Sequence, residues 1–370
     1  MSDLEANSPA RRRNRKISPP QFQRMGQGQL AQTSLTDYVT AIAWSQTGSL
    51  GSATSAAGEL LLWDLSTEQI TLLQPAGAYS LDCLAFSQDG NYLATAGQQG
   101  QVFVWQLQPQ PLLIQTIDCA GVWIDRLRWH PTQPLLTLSV GKSVQVWNLE
   151  TRSQEVTLPF AASSVLDVSW DPQGERLAIA GYQGVKIWYR QDWTADPYWL
   201  EMPSASLAIA WSGDGNYLAS GNFDRTVTVI EGENPDRPWV MRGFPGKVRK
   251  LAWSDPISPA TGAPVLASVS AEGIVLWQRH GEDAIGWEGE VAGLHTGTVL
   301  DVAFQPQSLT WASASEDGQV QIYYHLNQPI QLLSGAPQGF TKLAWHPTGD
   351  FLATGGRQGE LLIWTQNHLS

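Results

Sequence analysis

Apolar and polar positions alternate along most of this 370-residue chain, in short runs separated by turn residues. The clearest example spans residues 81–105, in which three alternating segments are divided by Asp89-Gly90 and by Gly100. Alternation with a period of two predicts β-strands, and Gly or Asp-Gly between them predicts hairpin turns. The same three-strand pattern recurs at residues 168–188 and 343–364. The sequence therefore predicts an all-β protein made of repeated antiparallel units.

Eight of these units end in a large side chain just before a turn, and neighbouring positions are 41 to 47 residues apart. These positions are Trp63, Trp105, Trp147, Trp188, Ile230, Trp277, Tyr323 and Trp364. A second aromatic series lies on the first strand of each unit, at Trp44, Phe86, Trp129, Trp170, Trp211, Trp253, Phe304 and Trp345. A repeat of about 40 residues with strand content is typical of propeller blades. We expect both series to pack between neighbouring sheets.

Two short motifs indicate the repeat family that the units resemble. A Trp-Asp pair occurs at Trp63-Asp64, with a near match at Trp147-Asn148. Residues 293–297, Gly-Leu-His-Thr-Gly, nearly match a Gly-His element that leads into a strand. The chain is therefore similar to WD40-repeat proteins from about residue 27 to residue 370. This resemblance implies a single β-propeller of four-stranded antiparallel blades.

The number of blades follows from the number of three-strand sets, which is eight. Seven blades remain the alternative, because the fifth unit, which ends at Ile230, is the weakest match. The resemblance also implies a hydrogen-bonded structural set in each blade. Its best match here is His295, Ser313 and Asp317, with Tyr323 where the family carries Trp. We expect this set to stabilise the fold and not to act as a catalytic triad.

Both ends of the chain predict how the ring closes. The last unit stops soon after Trp364, without room for a fourth strand, whereas residues 29–35 look like a strand without a sheet. Pairing the two would complete the last blade and remove an exposed sheet edge. Residues 1–26 contain a basic run, Arg11 to Lys16, and little apolar content, which predicts a disordered basic tail before a propeller of residues 27–370.

The charge distribution limits the classes of partner. The formal net charge is −12, of which the tail contributes about +4 and the rest of the chain about −16. An acidic propeller repels phosphate backbones, so we expect no nucleic acid binding on its surface. The basic tail could contact an anionic surface, and the alternative is a solvated tail. No apolar run approaches the ~20 residues that a membrane-spanning helix needs.

The sequence contains no recognisable catalytic, metal or cofactor motif. His130-Pro131 and His346-Pro347 occupy equivalent turns of two units, which is typical of repeat residues and not of metal ligands. Cys83 and Cys119 lie in separate units and fit a reducing compartment, so we expect a cytoplasmic protein. The resemblance implies a non-catalytic scaffold for protein–protein interaction. The alternative is a propeller enzyme, or a binder of a small ligand or divalent cation.

A possible channel site is suggested by the position three residues before each first-strand aromatic. These positions carry Ala41, Cys83, Arg126, Asp167, Ala208, Lys250, Asp301 and Lys342. If the first strands surround a central channel, these residues line it. An enzyme or cation site would use Asp167 and Asp301. No histidine stands in this set, and basic residues are mixed with the acids, which favours the scaffold over that alternative.

Candidate partner-binding residues lie at the start of first strands or in turns between second and third strands. They combine aromatic rings with positive charge, as binding hot spots do. The candidates are Tyr79, Trp123, Arg126, Phe223, Lys250, Phe340, Lys342 and Arg357. This composition suits an acidic peptide or loop of a partner protein. The alternative is that the basic residues only neutralise Asp167 and Asp301 inside a hydrated channel.

Overall fold

The structure, a computed structural model, describes residues 21–26, 33–232, 234–258, 261–282, 284–324, 326 and 328–367. Over these residues the chain forms 32 strands, arranged in eight antiparallel sheets of four strands each. The prediction of an all-β propeller with eight blades is therefore confirmed. In the described part of the chain no helix has the length and apolar character needed to cross a bilayer.

Blades 1 to 7 take their strands in chain order from the centre of the ring outwards, whereas blade 8 takes its outermost strand from the N-terminal segment. Blade 1 contains β2 (Val39–Trp44), β3 (Leu50–Ser55), β4 (Leu60–Asp64) and β5 (Ile70–Gln74), and blade 2 contains β6 (Leu81–Phe86), β7 (Tyr92–Gly97), β8 (Gln101–Gln106) and β9 (Leu112–Asp118). Blade 3 contains β10 (Leu127–Trp129), β11 (Leu135–Val140), β12 (Ser143–Asn148) and β13 (Ser153–Pro159), and blade 4 contains β14 (Asp167–Trp170), β15 (Arg176–Gly181), β16 (Gly184–Tyr189) and β17 (Tyr198–Glu201).

The second half of the ring repeats this order. Blade 5 contains β18 (Ser206–Trp211), β19 (Tyr217–Asn222), β20 (Val227–Glu231) and β21 (Asn234–Met241), and blade 6 contains β22 (Val248–Ile257), β23 (Pro264–Ser270), β24 (Gly273–Arg279) and β25 (Trp287–Leu294). Blade 7 contains β26 (Val299–Phe304), β27 (Trp311–Ser315), β28 (Gln319–Tyr324) and β29 (Gln328–Ser334), and blade 8 contains β30 (Phe340–Trp345), β31 (Phe351–Gly356), β32 (Leu361–Asn367) and β1 (Gln21–Arg24). The innermost strands contact one another in sequence, and β30 returns to contact β2.

Strand β1 closes the ring, because it pairs with β32 from Gln21 opposite Asn367 to Arg24 opposite Trp364. Pairing of the N-terminal segment with the last blade is thereby confirmed, but the predicted closing strand, residues 29–35, is wrong. Residues 27–32 lie outside the described residues, and Ser34 makes only a single bridge to Glu360.

The closing strand instead lies inside residues 1–26, the segment that the sequence assigns to a disordered tail. Phe22 is the reason that this polar segment joins the sheet. Its ring is only 3% exposed and lies 5.3 Å from the ring of Trp345. The side chain of Gln331 on blade 7 accepts a hydrogen bond from the Phe22 backbone N–H and donates one to its carbonyl. The predicted disorder of residues 1–20 lies outside the described residues.

The aromatic residues of the first strands join neighbouring blades. The indole N–H of Trp44 donates to the carbonyl of Ala344 at 3.1 Å, and that of Trp129 donates to Ala85 at 2.9 Å. In both pairs the acceptor belongs to the preceding blade, one residue before its own first-strand aromatic. The small alanine leaves room for the indole to reach that carbonyl. The blade-to-blade contact is thus both apolar and hydrogen bonded.

Candidate functional site at the channel mouth

Antiparallel order places two kinds of loop on one side of the ring. These are the loops before the first strands and the turns between second and third strands, and we call this side the mouth face. Six first strands carry a bulge near their start, as between Val248 and Lys250 or between Phe340 and Lys342. At a bulge, two residues of one strand lie opposite a single residue of the partner strand, which changes the direction of the side chain that follows. The residues three positions before the first-strand aromatics all line the channel.

The channel contains a cavity of about 390 Å³. Its basic lining residues are Arg126, Arg128, Arg249, Lys250 and Lys342. Its acidic lining residues are Asp82, Asp125, Asp167 and Asp301. The cavity wall therefore carries more basic than acidic side chains, although the whole chain has a net charge of −12.

Asp167 and Asp301 connect three successive blades each. Asp167 accepts hydrogen bonds from Arg126 Nε at 3.2 Å and from the backbone N–H of Ile209 at 3.0 Å. Asp301 pairs with Lys250 Nζ at 3.2 Å and accepts the N–H of Leu343 at 3.1 Å.

Because both carboxyl oxygens of Asp167 and Asp301 accept hydrogen bonds, the two residues are poorly suited to bind a cation. Among the described residues no group of three or more His, Cys, Asp or Glu side chains could hold a metal ion. The arrangement supports structural ion pairs in the channel wall more than an enzyme or cation site.

Trp123 lies on the rim of this channel with its ring 55% exposed. Its indole N–H donates to Asp82 Oδ2 at 2.7 Å, and Ser80 Oγ donates to the same oxygen at 2.8 Å. Burial raises the pKa of Asp82 in spite of these two hydrogen bonds. Tyr79 precedes Ser80 on the same loop and is also exposed. The structure thus places Trp123 at the edge of the cavity and Tyr79 in a neighbouring loop of the same face.

Phe223 and Arg357 occupy turns between second and third strands on the same face. The exposed ring of Phe223 lies 4.7 Å from Lys247 Nζ, in a cation–π contact. Arg357 pairs with Glu316 of blade 7 and donates its backbone N–H to the carbonyl of Gly339. These two residues are on the predicted face, but neither lines the cavity.

Phe340 was predicted as an exposed binding aromatic, and this is wrong. It is 0% exposed, because it is the first residue of β30 and not part of the preceding loop. Its ring belongs to the apolar cluster between blades 7 and 8, which also contains Trp345 and Leu352. Phe340 therefore stabilises the ring and is not available to a partner.

Sequence reasoning missed several residues of the site. Arg128 and Arg249 line the cavity, and each stands one position from an aromatic or basic residue already chosen from the repeat. Tyr38, in the loop before the first strand of blade 1, was also missed, although Tyr79 and Trp123 occupy the corresponding loops of blades 2 and 3. Burial raises the pKa of Tyr38 against the influence of Arg357, and the nearby carboxylates of Asp301, Glu316 and Asp82 raise it further. A test of each repeat position's immediate neighbours could have identified the two arginines.

His295, Ser313 and Asp317 form a connected polar set beside the mouth face. His295 Nδ1 lies 2.8 Å from Asp317 Oδ2, and Nε2 lies 2.8 Å from Ser313 Oγ. Partial burial alone would raise the pKa of Asp317, but hydrogen bonds from His295 and from the Thr296 N–H hold it below its usual range. Tyr323 bonds Gln321 instead of Ser313, so the set ends at the serine.

The two turn histidines act between blades. His130 Nε2 lies 2.9 Å from the carbonyl of Gly174 in the next blade, and His346 Nε2 lies 2.9 Å from that of Gly48. Burial lowers the pKa of His130 despite the hydrogen bond to Gly174. Both glycines have positive φ in their turns, and the imidazole occupies the space that a Cβ would need. These contacts lie on the side of the ring opposite the mouth face.

Comparison with known proteins agrees with this architecture. The family described as WD40, "WD domain, G-beta repeat", matches the chain in four places, at residues 71–106, 204–231, 293–323 and 327–365. These segments fall in blades 1 to 2, 5, 6 to 7 and 7 to 8.

Three curated relatives illustrate the range of similar proteins. Transcriptional corepressor LEUNIG_HOMOLOG of Arabidopsis thaliana is 24% identical over 288 residues, which are 76% of this chain and 35% of that protein. Protein transport protein SEC31 of Chaetomium globosum is 30% identical over 186 residues, which are 46% of this chain and 14% of that protein. WD repeat-containing protein VIP3 of Arabidopsis thaliana is 28% identical over 184 residues, which are 45% of this chain and 56% of that protein.

The chain spans about a third or less of the first two relatives. What it has in common with them is therefore the repeat array. Eight four-stranded blades in a closed ring, together with the repeat matches and a relative named for its WD repeats, support a β-propeller that contains WD40 repeats.

Proposed function

We propose that this chain is a non-catalytic scaffold that binds an acidic peptide or loop of a partner protein at the mouth of its channel. The observation that carries the proposal is the reversal of charge at this place. The chain is acidic overall, yet five basic side chains and four aspartates line the cavity. Positive charge at the mouth of an acidic body attracts acidic segments and repels basic ones.

Exposed aromatic rings beside the cavity add apolar contact area. Trp123 is fixed by its hydrogen bond to Asp82, so little side-chain entropy is lost when a partner covers the ring. Tyr79 stands on the next loop, and Phe223 is held against Lys247. Binding energy at interfaces concentrates in rigid aromatic and arginine side chains of this kind.

The relatives support the general class of function. Their names describe a transcriptional corepressor and a protein transport protein. The carboxylates that an enzyme would need are bound to basic side chains and to backbone N–H groups, which favours the scaffold over a catalytic propeller.

A peptide-display selection against the full chain tests the proposal. We expect enriched peptides to be acidic and their binding to weaken with added salt, because exposed ion pairs are screened. A double variant, Trp123→Ala with Lys250→Ala, should lose these peptides and retain a cooperative melt. The matched control is Trp199→Ala with Arg237→Ala, which removes an exposed tryptophan and an exposed basic side chain from the outermost strands of blades 4 and 5. Equal binding by the double variant and wild type would contradict the proposal.

A further inference from the structure

Every carboxylate of the cavity already has a partner within the protein. Asp82 accepts hydrogen bonds from Ser80 and Trp123, and Asp125 accepts one from Ser139 and pairs with Arg126. Asp167 and Asp301 are shared between basic side chains and backbone N–H groups, as described above. All four carboxylates that line the cavity therefore already have partners within the protein.

The basic side chains of the cavity do not all have a partner in the part of the chain that the structure describes. Arg126 and Lys250 have ion pairs at 3.2 Å, and Arg128 is 3.9 Å from Asp167. Lys342 lines the cavity on blade 8, and among the described residues its ammonium group has no ion pair within 4.0 Å and no hydrogen bond. Asp301, its acidic neighbour in blade 7, is turned to Lys250 and to the backbone N–H next to Lys342.

We propose that the part of the cavity around Lys342, Lys250 and Arg126, the channel throat, is a subsite for one oxyanion group, a phosphoryl or carboxylate, with Lys342 as its counter-charge. The inference deepens the proposed function. It rests on that function only for the claim that the oxyanion belongs to a bound peptide. A side chain of the bound peptide would reach the throat through the mouth, whereas a free anion would enter alone.

Desolvation is the physical reason that the throat favours an anion. A partly buried ammonium group without a counter-charge raises the free energy of the folded protein. A bound oxyanion supplies both the negative charge and hydrogen-bond acceptors. Lys250 and Arg126 can keep their ion pairs with carboxylates when an anion binds. Their charges still add to the positive electrostatic potential in the throat. Arg249 is exposed beside Lys250 and raises the local concentration of anions.

The charge state of Lys342 gives the site a pH dependence. Burial, followed by the charges of Lys250 and Arg126, lowers the pKa of Lys342 to about 8, while Asp301 and Asp82 oppose the shift. A bound anion favours the charged lysine and raises this pKa again. Binding should therefore be accompanied by proton uptake near pH 8, and it should weaken as the pH rises above that value.

The test measures binding of inorganic phosphate and of acetate to the full chain, from the concentration dependence of Tm at constant ionic strength set with chloride. Four proteins are compared: wild type, Lys342→Met, Lys342→Arg and Lys142→Met. Lys142→Met removes an exposed lysine that does not line the cavity, and so it controls for loss of charge. Methionine has a similar length to lysine and keeps the throat filled.

We expect wild type, Lys342→Arg and Lys142→Met to bind alike, and Lys342→Met to bind about tenfold more weakly or worse, as loss of one member of a desolvated ion pair implies. Tighter binding of phosphate than acetate would indicate a phosphoryl group, and the reverse a carboxylate. An unchanged affinity in Lys342→Met overturns the subsite. Since these probes need no peptide, failure of the display selection would refute the proposed function alone. Peptides carrying phosphoserine, glutamate or serine at one position then identify the source.

Discussion

Asp301 accepts the backbone N–H of Leu343, its neighbour in the next blade, at 3.1 Å. Asp167 makes the same bond to Ile209 at 3.0 Å, and in both cases the two residues are 42 positions apart. Each aspartate also holds a basic side chain of the blade before it. The innermost strands are thus joined by a repeated contact that uses one carboxylate for three blades.

This contact predicts a clear cost for Asp301→Ala. The variant leaves the Leu343 N–H without its acceptor and Lys250 without its counter-charge, and we expect it to lower the free energy of unfolding by about 1–3 kcal/mol. Chemical denaturation measures the difference. Asp196→Ala, which removes an exposed aspartate from the loop before β17, is the control and should change stability little. Equal stability of the two variants would contradict this stabilising role of Asp301.

The closing strand predicts a contrast between two phenylalanines. Phe22→Ala removes a buried ring from the contact between blades 7 and 8, and it should cost about 3–5 kcal/mol. Phe223→Ala removes a ring that is 55% exposed and should leave the melt almost unchanged. Thermal and denaturant unfolding of both variants decides the matter. A small effect of Phe22→Ala would mean that β1 contributes little to closure.

The polar set of blade 7 predicts a loss of stability that depends on pH. Asp317→Ala should cost about 1–3 kcal/mol at neutral pH, because His295 and the Thr296 N–H lose their acceptor. The pKa of Asp317 is below its usual range in the folded state, so its contribution is present above about pH 4 and is lost as the pH falls through the folded value. The gap between wild type and variant, measured by denaturation, should therefore narrow in acid. A difference in stability between wild type and variant that does not change with pH would mean that the loss comes from packing.

Lys342 predicts a rise of stability with pH in a more alkaline window, in the absence of anions. Its folded pKa of about 8 lies below the unfolded value, so between that pH and about 10.4 the unfolded chain binds more protons. The stability of wild type relative to Lys342→Met should rise with pH across this window, and the variant should be the more stable at pH 7. Denaturation in chloride buffers measures both, with Lys142→Met as the reference. A variant less stable than wild type at pH 7 would show that the charge has a partner.

The periodic part of the molecule could be predicted from the sequence, because each blade repeats the same packing problem. For example, the residues three positions before Trp129 and Trp253 line the channel, as the spacing implies. Phe340 was misplaced because the boundary between a loop and β30 is decided by the bulge after it, which leaves no sequence pattern. Strand β1 was missed because Gln21–Arg24 is short and polar. Its partner, β32, is far away in the chain, so local alternation gives no indication of the pairing.

The pairing of β1 with β32 also sets an order of events for the ribosome-bound chain. Blades 1 to 7 can each form from strands that are consecutive in the chain, as soon as those strands have left the exit tunnel. Blade 8 cannot, because its outer strand β1 precedes the other strands of the ring in the chain and its partner β32 follows them. The ring therefore stays open until β32 has been made, and its closure is a long-range step that local folding cannot hasten.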